Sequence, residues 1–238
     1  MNNKTYLVPI RFSSQSADYI KKYDLKSNSI WSSDSPEIKK IREELREHYK
    51  SEQNGCCSYC RIDNPQNHGL SWDVEHVAPQ GDFPQFLFEP RNLALSCKDC
   101  NTAKNKKNVL DLSKIDVSKE YPVNGDCFII IHPHFDCYQE HMTIKRVGEK
   151  IIYYPQEGKG INTYKTCNLS RYIVYKTHNI TDANLANAIM ERLLDLSASG
   201  NISLNHEHIK IVGDSVTKNP LSVEIETSFK AVKNESEQ

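Results

Sequence analysis

The chain lacks any run of apolar residues long enough to cross a bilayer, for which about 20 are needed, so no membrane partner is expected. It also lacks an excess of charge of either sign, since 30 basic against 31 acidic residues leave a net charge of −1. A protein that coats nucleic acid through a global positive field is thereby disfavoured. A nuclease is not, because a divalent cation and a local basic stretch can neutralise the few phosphates it must hold. The opening MNNKTYLVPIRF has no basic segment leading into an apolar stretch and a small-residue cleavage site. A cytoplasmic location is therefore expected, and with it reduced thiols. No internal repeat or low-complexity linker is visible.

What the sequence does contain is 238 residues, enough for one good core and a smaller lobe. Ser35 before Pro36 predicts a helix start, after which Ile38, Ile41, Leu45 and Tyr49 recur at helical spacing. The opposite face (Lys39, Lys40, Arg42, Glu43, Arg46 and Glu47) reads as a solvated surface. Further on, CFIIIHP (127–133) reads as a buried strand, and MTIKRV with KIIYYP, joined through Gly148 and Glu149, as a β-hairpin. Thr181 then opens a helix with Leu185, Ile189 and Leu193 on one face. In the tail after Gly200, Asn219 and Pro220 can start a last helix aligning Leu221, Ile225, Phe229 and Val232, although LSVEIET also alternates like a strand.

Four of the eight cysteines form two C-x2-C pairs, Cys57 with Cys60 and Cys97 with Cys100. Two intervening residues let a tight turn aim both thiolates at one tetrahedral Zn²⁺, and two such turns close a four-sulfur structural site. Cys56 is a poorer substitute in the first pair. A redox pair would need a single C-x-x-C in a βαβ setting, which is absent. Cys127, Cys137 and Cys167 are read as buried small apolar residues.

Between the pairs runs SWDVEHVAPQGDFPQFLFEPRNLALSCKDCNTAKNKKNVL. It resembles the HNH (ββα-metal) nuclease signature: an acidic residue and His at a strand end, Asn before a second strand, and Asn on a helix after the second cysteine pair. DVEHVAPQ, NLAL and an Asn with Lys three residues on look especially like the HNH domain of RNA-guided CRISPR nucleases. The alternation of Asp73-Val74-Glu75-His76-Val77, broken by Pro79, Gln80 and Gly81, puts His76 at the end of a strand. Neutral His76 would act as general base on water. A hard cation, Mg²⁺ or Mn²⁺, prefers oxygen donors such as the Glu75 carboxylate and the Asn101 carbonyl, with Asp73 on the same strand face as a reserve ligand. The family most often has Asp where Glu75 stands, and the longer arm is expected to move that carboxylate outward. Following the family role, Asn92 would bond across the loop and orient the His76 segment. Lys104, Lys106 and Lys107 lie on or just past the helix of Asn101, where they can hold phosphates.

HPHFDCYQEH places His132, His134 and His141 near Asp136 and Cys137; it reads as polar residues closing a strand rather than as a second metal site. His206 and His208 receive no role. The run from HPHFD through KGINTYKTCNLSRY resembles the region after the HNH motif in the nuclease subunit of Septu-type and retron-associated anti-phage systems, which implies an ATPase partner.

The expected fold is α+β: a helical segment over 1–50, a zinc-stapled ββα-metal core over 51–115, and a mixed carboxy-terminal lobe over 116–238. The expected function is phosphodiester hydrolysis on nucleic acid, DNA in the first place. A catalytically silent zinc module that binds nucleic acid or protein is the alternative. A zinc deaminase is disfavoured, because Ser96 precedes Cys97 where that chemistry has Pro and no zinc position stays open.

Overall fold

The computed structural model describes residues 6–63, 72–117, 120–147, 150–169 and 171–174. The chain divides into two compact units, residues 1–138 and 139–238.

In the first unit, a short helix α1 (Ser14–Ile20) is capped by Ser13, whose hydroxyl accepts from the Ser16 N–H. A longer helix, α2 (Pro36–Glu52), begins where Ser35 accepts from the Ile38 N–H and Pro36 occupies the first turn. Its apolar stripe, Ile38, Ile41, Leu45 and Tyr49, is fully buried, as the helical spacing predicts. Glu44, on another side of α2, ties α1 down by accepting from the Ser13 N–H and from the Ser13 and Ser16 hydroxyls. The charged face is only partly free: Arg42 donates to the carbonyls of Trp31 and Ser33, fastening the turn that precedes the helix.

Two strands, β1 (Trp72–His76) and β2 (Leu93–Cys97), pair antiparallel with Val74 opposite Leu95 and His76 opposite Leu93. The helix α3 (Lys98–Lys104) follows at once, completing a ββα unit. It stops where Asn105 takes a positive φ of 46° with ψ −131° and returns its N–H to the Asn101 carbonyl. Gln53 joins α2 to this unit. Its buried amide receives the Leu95 N–H at 2.7 Å and donates to the carbonyls of Leu95 and Cys56 at 2.9 and 2.7 Å. One side chain thus stands in for a neighbouring strand.

The segment CFIIIHP departs from the expectation of a strand. A 3-10 turn (Gly125–Cys127) leads into a single bridge between Phe128 and Leu110, flanked by hydrogen bonds from Ile129 N to Val109 O and from Asp111 N to Cys127 O. Phe128, Ile130 and Ile131 are buried all the same. Apolar burial produced the pattern, without a ladder partner of sufficient length. The HPHFD residues then form a turn: Asp136 accepts from the His132 N–H at 2.7 Å, and His132 meets the Tyr121 hydroxyl at 2.9 Å. The ring nitrogens of His134 lie 3.2 and 2.8 Å from the carbonyls of Leu7 and Leu93, which stitches the amino-terminal segment to β2.

In the second unit, β3 (Met142–Val147) and β4 (Lys150–Pro155) pair antiparallel, as expected of the hairpin MTIKRV and KIIYYP, with Met142 opposite Pro155. The single-turn helix α4 (Tyr138–His141) spans the division between the units. A helix α5 (Lys159–Thr166) buries Ile161 and Tyr164, and a short α6 (Arg171–Val174) follows. A Cβ on Gly160 would lie 2.1 Å from the His141 carbonyl oxygen, so the approach of α5 requires glycine there. Cys167 is buried, whereas Cys127 and Cys137 are only half-buried. The helix expected from Thr181, the tail after Gly200, and His206 and His208 lie outside the described residues. Among the described residues, no helix is long and apolar enough to cross a membrane.

Leu45 is wholly buried in the α2 stripe, so Leu45→Ala is expected to lower unfolding stability by about 2–5 kcal/mol in urea titration. A loss below about 1 kcal/mol would mean that α2 is not part of the cooperative core.

Candidate active site

The Sγ atoms of Cys57, Cys60, Cys97 and Cys100 all lie within 4.8 Å of one another, and none is in a disulfide. Four bonds of 2.3 Å at tetrahedral angles set sulfurs roughly 3.8 Å apart; Cys60 and Cys97 are separated by 3.9 Å. The cluster therefore fits a single Zn²⁺. Antiparallel pairing brings it about, because Cys97 ends β2 opposite Trp72 while the first turn is held to the same strand by the Ser58 N–H on the Leu95 carbonyl. Cys56 stands outside the cluster, with its thiol on the Asn54 carbonyl. Among the described residues this is the one group of His, Cys, Asp and Glu side chains close enough to share a metal through three or more ligands.

Above it, β1, the loop after it and α3 surround a cavity of about 580 Å³ whose lining includes Asn28, Glu75, His76, Asn101, Thr102 and Lys106. His76, the last residue of β1, is 6% exposed. One ring nitrogen, Nε2, lies 3.1 Å from the Leu87 carbonyl. A carbonyl can only accept, so Nε2 carries the hydrogen and the neutral ring keeps its lone pair on Nδ1. Burial pulls the imidazole down to about 3, outweighing the Leu87 carbonyl that pulls it up. The ring is therefore neutral through the physiological range. Trp31 packs edge-on against it, with centroids 4.7 Å apart.

The loop after His76 is fastened by Asn92, which is fully buried. Its Oδ1 accepts from the Ala78 N–H at 2.7 Å, and its Nδ2 donates to the carbonyls of Ala78 and Phe86. Its own carbonyl receives the Val77 N–H at 2.8 Å.

Glu75 does not swing outward. It is 2% exposed, and its Oε1 receives both the Lys104 ammonium at 2.7 Å and the Tyr59 hydroxyl at 3.1 Å. Burial pushes its carboxyl above the ordinary range, against the pull of Lys104 and Tyr59. Lys104 also departs from expectation. At 1% exposed, with its ammonium on Glu75 and on the His76 carbonyl, it cannot lie along a phosphate backbone. It faces inward because α3 packs on both strands and the residue falls on the packed side. Lys106 lines the cavity, whereas Lys107 does not. Asp73 and Asn101 lie together, with Asn101 Nδ2 donating to Asp73 Oδ2 at 2.9 Å and Lys98 pairing with the other oxygen at 3.1 Å. This bond fixes the Asn101 amide so that Oδ1 remains the available acceptor.

Trp31 and Tyr59 escaped the sequence reading. Nothing in the mixed first thirty residues signals a ring laid against His76. Tyr59 is hidden inside the cysteine spacing.

Residues 57–107 match the family model for HNH endonucleases, so the chain carries an HNH endonuclease domain. Over 204 residues the chain is similar to Septu protein PtuB of Bacillus thuringiensis, at 26% identity, covering 83% of this chain. It spans 65% of the length of that curated relative. No solved structure matches it.

The folded state keeps His76 neutral down to about pH 3, while the unfolded chain binds that proton near pH 6.5. The contribution to stability is therefore complete above about pH 6.5 and is lost as pH falls toward 3, at up to about 1.4 kcal/mol per pH unit. Urea titrations across this window are expected to show the decline, and His76→Asn to flatten it by one proton. An unchanged slope in the variant would mean that folded His76 is already charged.

Proposed function

We propose that this chain is a divalent-cation-dependent endonuclease that hydrolyses phosphodiester bonds, of DNA in the first place, as the nuclease effector of an anti-phage system. The observation that carries this reading is a neutral histidine with its hydrogen fixed on Nε2, set in an oxygen-lined cavity inside an HNH domain. His76 is the general base: Nδ1 takes a proton from water as its oxygen attacks phosphorus, and the bond to the departing 3′ oxygen breaks. A negatively charged phosphodiester beside the ring favours the protonated imidazole, and a cation at Glu75 and Asn101 would oppose it, so the base acts from its neutral form.

Glu75 and Asn101 would hold Mg²⁺ or Mn²⁺, with Asp73 beside Asn101 as a further oxygen donor. The cation, when bound, would supply positive charge for the nonbridging and departing oxygens. Asn92 keeps the loop after His76 in register with β2, so its role is orientation. Lys106 and Lys107 hold phosphates flanking the cut. The four cysteines hold Zn²⁺ as a closed structural site, with no position for a zinc-bound nucleophile.

The defence role is supported by the similarity to Septu protein PtuB along most of the chain. An ATPase partner is part of the same reading, resting on the resemblance of the HPHFD to KGINTYKTCNLSRY region to nucleases that pair with one. A cytoplasmic site of action accords with it.

The purified, zinc-loaded protein, alone and with any ATPase that co-purifies from the native host, is to be incubated with plasmid DNA and structured RNA in Mg²⁺ or Mn²⁺. Cleavage is expected to require the added cation and to fall at least a hundredfold in His76→Ala. Activity that survives the substitution would remove His76 as the base. Stripping the thiolate-bound metal with a strong chelator is expected to lower the melting temperature, with recovery on adding Zn²⁺ but not Mg²⁺. Recovery with Mg²⁺ alone would contradict a four-sulfur zinc site.

A further inference from the structure

Tyr59 lies between Cys57 and Cys60, the first two ligands of the sulfur cluster, and its ring is fully buried. Its hydroxyl donates to Glu75 Oε1 at 3.1 Å, inside the protein and away from water. The main chain carrying the ring is held on both sides. The Ser58 N–H bonds to the Leu95 carbonyl at 3.1 Å, and the Tyr59 carbonyl accepts from the Tyr138 hydroxyl at 2.8 Å. Tyr138 is itself buried and lies under the Arg61 guanidinium, 4.7 Å from its ring centroid. The hydroxyl is therefore delivered to Glu75 from a frame with little freedom.

Glutamate has one more rotatable bond than aspartate, so a carboxylate on this longer arm has more orientations to lose before it can serve as a ligand. Lys104 and Tyr59 both bind Oε1 and thereby select one of them. Oε2 has no hydrogen-bond partner among the described residues, and Glu75 lines the cavity.

We propose that Tyr59 is a positioning residue for the cation site: it orients Glu75 so that Oε2 is presented to the cavity, and through it the sulfur cluster sets the affinity for the catalytic cation. This rests on the reading of Glu75 as a cation ligand. Groups that hydrogen-bond a ligating carboxylate commonly control metal affinity by 10–100-fold. The turn between Cys57 and Cys60 then has two tasks, to bind one metal and to aim the ligand of another.

The test is Mn²⁺ binding, followed by electron paramagnetic resonance titration of the full-length, zinc-loaded protein. Tyr59→Phe is compared with wild type, with Tyr138→Phe, which loosens the same turn without touching the carboxylate, and with Glu75→Gln. Tyr59→Phe is expected to weaken Mn²⁺ binding about tenfold at unchanged zinc content, and Tyr138→Phe, which loosens the frame but keeps the hydroxyl on Glu75, to weaken it by a clearly smaller factor. Wild-type affinity in Tyr59→Phe, or equal weakening in Tyr138→Phe, overturns the role of Tyr59 while leaving Glu75 as a ligand if Glu75→Gln binds poorly. Undiminished binding in Glu75→Gln removes Glu75 from the cation site and the proposal with it.

Discussion

The convergence of four cysteine sulfurs is the constraint on which the rest of the first unit depends. A two-stranded ribbon of five-residue strands and a seven-residue helix have little stability by themselves. Drawing the turn at Cys57 onto the end of β2 closes the long loop that carries β1 and His76, so the site is assembled at the mouth of a clamped loop. The loop is then fixed at finer scale by polar side chains that act as backbone substitutes. Gln53 and Asn92 each satisfy main-chain donors and acceptors that the short sheet leaves over.

Charge is handled inside this frame by pairing and not by exposure. Glu75 and Lys104 are both buried and in contact, so neither is left as an uncompensated ion. Asp73 and Lys98 make the corresponding pair nearer solvent. Around the site these two pairs keep charge in short-range arrangements. With a net charge of −1 the chain has no overall positive excess.

Much of this was legible in the sequence because it depends on local spacing. The stripe from Ile38 to Tyr49, the strand-forming runs MTIKRV and KIIYYP on either side of a turn signal, and the paired cysteines each express a period or a turn within a few residues. What the sequence hid depends on contacts between distant segments. Lys104 looks solvated in a lysine-rich stretch, and only the packing of α3 on β1 turns it inward. CFIIIHP reads as a strand because burial alone makes a run apolar, and the run does not reveal that its partner offers one bridge. The contact of Trp31 with His76 spans two segments with no shared pattern.

Helix α2 lies outside the segment 57–107 that defines the endonuclease domain, yet Gln53 at its end satisfies both main-chain polar groups of Leu95 in the second strand. Ancestry and cooperativity therefore have different borders in this molecule. The matched cassette does not close its own hydrogen bonding; part of it is completed by a wall that the preceding helix supplies. Insertions or recombination junctions between Gln53 and Cys57 would part the cassette from that wall even though they leave every cysteine and every cavity-lining oxygen in place.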